Sequence, residues 1–213
     1  KMLITENKEL YGKIIQSLRS KFGEREGIHL SDLIYCLRKA YFRKTNQAPD
    51  ASDEQLMMYV MGMAIQNWMF PEPEKVIELD GIACSPDVAS GIEVKSTRKS
   101  MGKFNVMEIE HWLKQIKGYC KVMGKTEFDL VTFFVCGDYK PPFPKLGIPK
   151  TLTFTPLEIE ENWNTMKERK IELDKALKNN VAPPFGTEMS WECEKCEIGP
   201  LYCKDYIASK GKR

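Results

Sequence analysis

The chain has 213 residues, is 42% hydrophobic and 29% charged, and carries a formal net charge of +2. That length suits one domain with a proper core, the apolar share argues against extensive disorder, and the near-neutral charge neither demands nor excludes nucleic acid. No run approaches the length of a membrane span and the start shows no signal-peptide pattern, so a cytoplasmic location is expected, and seven cysteines there point to metal binding or reduced thiols rather than disulfides.

Residues 5–22 place Leu10, Ile14, Leu18 and Phe22 at fourfold spacing, which predicts an amphipathic helix. Ser31 is the expected N-cap of a second helix through Leu33, Ile34, Leu37 and Tyr41. A longer helix is expected from about Glu54 to Phe70, with Leu56, Tyr59, Val60, Met63, Ala64 and Trp68 as its apolar set and Pro71 and Pro73 as its stop. Strands follow at Lys75 to Leu79, at Ile82 to Cys84 beyond a turn at Gly81, and at Ile92 to Lys95. A helical period returns from Val106 to Met123, and Asp129 to Cys136 reads as a buried strand. Thr151 to Phe154 is a further strand, after which Thr155-Pro156-Leu157-Glu158 combines a capping box with proline at the first helical position and opens a helix to about Asn180. This order describes one α/β domain over 1–213 with a small mixed sheet: a helical segment at 1–52, a core at 53–180 and a cysteine-rich segment at 181–213.

The stretch from Asp80 to Lys95 carries the chemistry. Pro86-Asp87 is followed, after five residues, by Glu93-x-Lys95. On a strand Glu93 and Lys95 share a face and Val94 points the other way. If the preceding hairpin brings Asp87 alongside Glu93, two carboxylates meet with an ammonium at their edge. Phosphodiester hydrolysis needs such a set: carboxylates hold Mg²⁺ or Mn²⁺, and a cation steadies developing charge. The main-chain carbonyl of Val94 is a further candidate ligand. Gln115 and Tyr119, four residues apart, share a helical face that includes His111.

Cys193-x₂-Cys196-x₆-Cys203, with a glycine and a proline between, has the spacing of a metal or cluster loop, and Cys36 is the candidate fourth thiolate. Cys84, Cys120 and Cys136 read as small buried core residues. Spacing alone leaves zinc and [4Fe–4S] equally open.

Asp87, Glu93-x-Lys95 and Gln115-x-x-x-Tyr119 resemble the RecB-like branch of the PD-(D/E)xK nucleases. That resemblance implies a restriction-endonuclease-like fold, Asp87 and Glu93 as metal ligands, Lys95 as catalytic, and Gln115 and Tyr119 as contacts to DNA or braces of the site. The branch usually has a histidine ligand in a G-x-x-x-H pattern on the preceding helix; here the matching place is Gly62-x-x-x-Gln66, so Gln66 is the expected, weaker ligand. One cysteine ahead of the core and three after it look like the CRISPR-associated Cas-four nucleases. By that resemblance Cys36, Cys193, Cys196 and Cys203 hold a [4Fe–4S] cluster that staples the N- and C-terminal segments, with [2Fe–2S] still open. It also implies an exonuclease acting on single-stranded DNA or overhangs, trimming spacer precursors beside the CRISPR integrase. Three basic groups are candidate phosphate tracks: Arg38, Lys39, Arg43 and Lys44; Lys95, Arg98, Lys99 and Lys103; and Lys204, Lys210, Lys212 and Arg213. Tyr41, Phe42 and Phe104 are candidate base-stacking rings. A DNA-end binding or scaffolding protein with a weak site, favoured by Gln66, is the alternative, as is a mobile-element or viral homologue outside CRISPR.

Overall fold

The computed structural model describes residues 6–23, 25–72, 75–141, 143–185, 191–194 and 196–204. Thr5, Pro73, Lys210, Lys212 and Arg213, named above, lie outside the described residues. Helix α1 runs Lys8–Arg19, with Asn7 capping Leu10 N at 2.9 Å. It is anchored to the next long helix by Arg19, which donates to the Ala51 carbonyl and to Asp53 at 2.7 and 2.8 Å.

The helix expected from Ser31 to Tyr41 is two helices, α2 (Leu30–Ile34) and α3 (Leu37–Lys44). His29, not Ser31, is the N-cap, and its amide donates to Asp32 Oδ2 at 2.9 Å. The break at Tyr35 has a tertiary cause. Arg169, far along the chain, donates to the carbonyls of Leu33 and Tyr35, and the Cys36 amide donates to Glu192 Oε1 at 3.3 Å. Polar groups that would otherwise continue one helix are satisfied from outside it.

Helix α4 (Asp53–Met69) opens with a capping box between Ser52 and Gln55. Its expected apolar stripe is a correction: only Leu56 is buried, whereas Tyr59, Met63, Ala64 and Trp68 are exposed. Strands β1 (Ile77–Leu79) and β2 (Ile82–Cys84) pair antiparallel across Asp80-Gly81. Both turn residues have positive φ, 53° and 70°, as a two-residue type I′ hairpin requires. Asp80 also receives Trp163 Nε1 at 2.9 Å, tying this hairpin to the long C-terminal helix.

Strand β3 (Ile92–Thr97) pairs parallel with β4 (Glu127–Phe134), Glu93 opposite Leu130 and Lys95 opposite Thr132. The crossover between this parallel pair is made through two 3-10 turns and α5 (Glu110–Met123), so the helix expected from Val106 starts one turn late. Along its other edge β4 pairs antiparallel with β5 (Lys145–Leu146) and β6 (Lys150–Thr153). These two are pieces of one edge strand interrupted at Gly147-Ile148-Pro149; the first piece carries no sequence signal of its own. Helix α6 (Pro156–Asn179) is capped as expected by Thr155 and Glu158 and ends on Asn180 in the left-handed region. Two short turns of helix, α7 (Trp191–Glu194) and α8 (Gly199–Tyr202), are the last elements among the described residues.

The core lies where α2, α5 and α6 meet β2 and one face of β4, around Leu30, Leu33, Ile82, Ile116, Phe128, Trp163, Met166 and Leu173. Each such side chain stabilises the fold by roughly 1.5–3 kcal/mol on transfer from water. No helix among the described residues is long and apolar enough to cross a membrane.

Candidate active site

The site forms on the open edge of β3. The backbone of Gly91 and Thr97 bonds to β4, through Asp129 N and Val135 N, both at 2.9 Å. Parallel pairing therefore turns the backbone of Ile92 and Val94 to the opposite edge. Val88 N donates to Ile92 O there at 3.2 Å, and Val94 N donates to Asp87 Oδ2 at 2.7 Å. Because a strand residue directs its N–H and C=O to the same side, the Val94 carbonyl faces that edge too. The hairpin expected to deliver Asp87 is reduced to a single antiparallel bridge, Val88 to Ile92, since β2 and β3 belong to separate sheets; Asp87, next to that bridge, reaches β3 through its carboxylate.

Glu93 and Lys95 share a face of β3, with Lys95 Nζ donating to Glu93 Oε1 at 2.5 Å. The same ammonium donates to Gln115 Oε1 at 2.9 Å. Gln115 Nε2 in turn donates to the Tyr119 hydroxyl at 2.6 Å, and that hydroxyl donates to the Ser85 carbonyl at 3.0 Å. Four of the expected residues thus form one hydrogen-bonded chain, closed at its far end by the loop that carries Asp87. Fourfold spacing on α5 puts Gln115 and Tyr119 on the face that meets it.

Burial alone would pull the Lys95 ammonium down, but the Glu93 and Asp87 carboxylates outweigh it and hold its pKa above the usual value. Burial, then the Glu93 charge, push the Tyr119 phenol well up, so it stays a hydroxyl. His111 is driven down to about 4 by burial and by Lys95 and Lys99, which leaves its ring neutral near pH 7.

Glu93 is 1% exposed, yet its Oε2 has no hydrogen-bond partner. A buried carboxylate oxygen without a partner is costly, and a hard cation is one group that would satisfy it. Together with the Asp87 carboxylate and the Val94 carbonyl on the neighbouring edge, it makes an all-oxygen donor set that fits Mg²⁺ or Mn²⁺. Half-buried Gln66 stands one turn after Gly62, where an added Cβ would lie 3.5 Å from Ser96 Oγ of β3.

The cysteine-bearing segments come together. Arg38 donates to the Pro183 and Tyr202 carbonyls at 2.7 and 3.3 Å and lies 4.1 Å from the Phe185 ring. Tyr202 stacks on Phe42 at 3.8 Å and donates to the Gln47 carbonyl at 3.0 Å. Glu197 receives Arg43 at 2.5 Å and pairs with Lys39 Nζ at 2.8 Å. Burial raises the Cys193 thiol, and the neighbouring Cys36, Cys196 and Cys203 raise it further, which puts all four thiols in one neighbourhood. Among the described residues no three of His, Cys, Asp or Glu are preset as a metal cage. The donor chemistry therefore suits a cluster, whereas the arrangement is not preformed.

Several expectations change here. The first basic group is consumed internally, with Arg38, Lys39 and Arg43 in the contacts above and Lys44 3.1 Å from Asp32. Arg98, Lys99 and Lys103 are exposed. Tyr41 and Phe42 are 3% and 5% exposed and belong to the core, while half-buried Phe104 packs on Trp112 and Phe134. The rings that do stand beside Lys95 are Tyr35 and His111, with Trp191 against both; only His111 was marked by its helical face, because Tyr35 and Trp191 reach the site by tertiary contact. Cys84 and Cys120 are buried, pushed by burial to about 12 and about 11, but Cys136 is half-buried in the turn after β4.

No family model and no curated protein sequence matches the chain. Solved structures do. The crystal structure of SSO0001 is similar over 91% of this chain and 94% of its own, with a TM-score of 0.55 at 15% identity. An alkaline exonuclease from Laribacter hongkongensis, LHK-Exo, is similar over 72% of this chain and 91% of its own, with a TM-score of 0.46 at 13% identity. Its complex with dAMP gives 0.46 at 12% identity over the same shares. At 15% identity the likeness to SSO0001 is one of fold alone.

Proposed function

We propose that the chain is a metal-dependent deoxyribonuclease that hydrolyses phosphodiester bonds as an exonuclease on single-stranded DNA or overhangs. The observation that carries this reading is the junction at Lys95, where one buried ammonium bridges Glu93 and Gln115 beside a carboxylate oxygen with no partner. Asp87, Glu93 and the Val94 carbonyl would hold Mg²⁺ or Mn²⁺, with Gln66 as a weaker, outlying ligand. The chemistry such an ion supplies when bound is polarisation of the phosphate and acidification of a water. Lys95, kept protonated by its two carboxylate neighbours, offsets the negative charge that grows on the phosphate oxygens. Gln115 fixes the ammonium's direction, and Tyr119 fixes Gln115.

Cys36, Cys193, Cys196 and Cys203 are read as the thiolates of a [4Fe–4S] cluster, with [2Fe–2S] and zinc as the competing occupants. Their mutual proximity and the clasp between their segments support that reading. Visible absorption with iron and zinc counts on anaerobically purified protein separates the three. Trimming of spacer precursors beside a CRISPR integrase, in a cytoplasmic setting, is the context the sequence resemblance implies.

The test is degradation of end-labelled single-stranded DNA with Mn²⁺, Mg²⁺ or EDTA, comparing wild type with Lys95→Ala and Asp87→Ala. Metal-dependent cutting lost at least a thousandfold in both variants is expected. Intact DNA in every lane, with binding retained, would favour a DNA-end binding or scaffolding role, for which glutamine at position 66 is the supporting observation.

A further inference from the structure

We infer that Tyr35, His111 and Trp191 form an aromatic lip at the active site, and that Trp191 stacks on the unpaired base next to the phosphate being cut. This rests on the nuclease reading above. Three elements contribute: Tyr35 at the break between α2 and α3, His111 in the first turn of α5, and Trp191 at the start of α7. Ring centroids lie 5.7 Å apart for Tyr35 and His111, 5.2 Å for His111 and Trp191, and 6.5 Å for Tyr35 and Trp191, the last pair edge-on at 84°. These are the separations of mutually supporting rings.

The position of this group matters as much as its geometry. His111 lies one helical turn before Gln115, whose Oε1 holds Lys95 Nζ at 2.9 Å, and the charges of Lys95 and Glu93 act on the Tyr35 phenol, so the rings border the reactive lysine. Trp191 is nevertheless 49% exposed, whereas Trp112 and Trp163 are 8% and 0% exposed in the core. A tryptophan packed on two rings but open on nearly half its surface is both held and available. The hold is reinforced by the next residue, Glu192, 9% exposed, whose Oε1 accepts the Cys36 amide. Trp68 is more exposed, at 87%, but no ring packs on it.

Stacking on an unpaired base suits this arrangement. Every base has a π-face, so an aromatic platform grips a strand without reading its sequence. Exposed Lys99, whose charge acts on His111, offers a cation to a phosphate of a strand lying on the lip. The lip also couples the two halves of the molecule. Tyr35 immediately precedes Cys36, and Trp191 lies two residues before Cys193. Anything that parts the cysteine-bearing segments therefore dismantles the lip.

The experiment uses the full chain in EDTA, so that the strand survives. Oligothymidylates carry a terminal 2-aminopurine or, in a second probe, a terminal abasic site. Wild type should quench the 2-aminopurine on binding and bind it about tenfold more tightly than the abasic strand. Trp191→Leu, which keeps apolar bulk without a π-face, should lose both effects, and Trp191→Phe should restore most of each. Unchanged emission on binding, or the same quenching and preference in Trp191→Leu, would overturn the inference. So would absence of binding by wild type. Cutting in Mn²⁺ is scored separately: quenching without cutting keeps the lip and removes the nuclease reading, and cutting without quenching does the reverse.

Discussion

Lys95 holds two partners at once, and its second partner is itself held by Tyr119. The Tyr119 hydroxyl accepts from Gln115 and donates to Ser85, so it links α5 to the loop that carries Asp87. Tyr119→Phe keeps the ring in its core position and removes only that link. Equilibrium urea unfolding should show a loss of about 1 kcal/mol, the net worth of such a bond. The rate of cutting should fall on the order of a hundredfold with KM little changed, because Gln115 no longer fixes the direction of the ammonium. A Phe variant that cuts as fast as wild type would remove Tyr119 from the positioning chain. Under the proposed nuclease reading the geometry also separates roles that residue type alone merges: Tyr119 would brace, whereas Lys95 and the partnerless oxygen of Glu93 would face the phosphate.

Among the elements, α5 does the most to build the site, and it can do so because it approaches α2 closely. Gly118 makes that approach possible: a Cβ there would lie 2.4 Å from Leu30 Cδ2 and 3.0 Å from Cδ1. Leu30 is 2% exposed with little room to yield. Gly118→Ala, though favourable for helix propensity, should destabilise the fold by about 1–3 kcal/mol through overpacking. It should also lower cutting more than Tm alone accounts for, since a tilt of α5 carries Gln115, Tyr119 and His111 with it. Thermal unfolding beside single-turnover cleavage checks both, and an unchanged or raised Tm would contradict the close packing of α2 on α5.

At the scale of the molecule, residues near position 40 are clasped to residues near position 200 by side-chain hydrogen bonds and ion pairs. Glu197 is central to that clasp. Burial would raise its pKa, but Lys39 and Arg43 outweigh burial and hold it below the ordinary carboxylate value. A folded-state pKa below the unfolded one means stability that is present above the unfolded value, near 4.5, and lost as pH falls through the folded value. Glu197→Gln should therefore cost about 1–3 kcal/mol at neutral pH and flatten the acid limb below pH about 4.5. Unfolding free energies of wild type and variant measured from pH 7 to 3 should converge at the acid end. Parallel curves would show that Glu197 is not the group that titrates.

Much of this was legible in the chain itself. The capping box at Thr155, the turn at Gly81, the apolar run of β4 and the alternation of Glu93 and Lys95 are local rules, decided within a few residues. Fourfold spacing put Gln115 and Tyr119 on one helical face, and that face meets the site. What only the tertiary structure decided has a common cause: partners far away in sequence satisfy backbone or charged groups. Arg169 and Glu192 take the polar groups that would have joined α2 to α3. Asp87 reaches β3 through the Val94 amide beside a single Val88–Ile92 bridge, instead of across a full hairpin ladder. Glu197, Pro183, Tyr202 and Asp32 absorb the basic group that looked free to hold phosphate. Burial likewise sorts the aromatics, sending Tyr41 and Phe42 to the core and leaving Trp191 at the lip. Local patterns fix elements and the face a side chain shares; long-range hydrogen bonds and charge pairing decide which of those faces becomes a site.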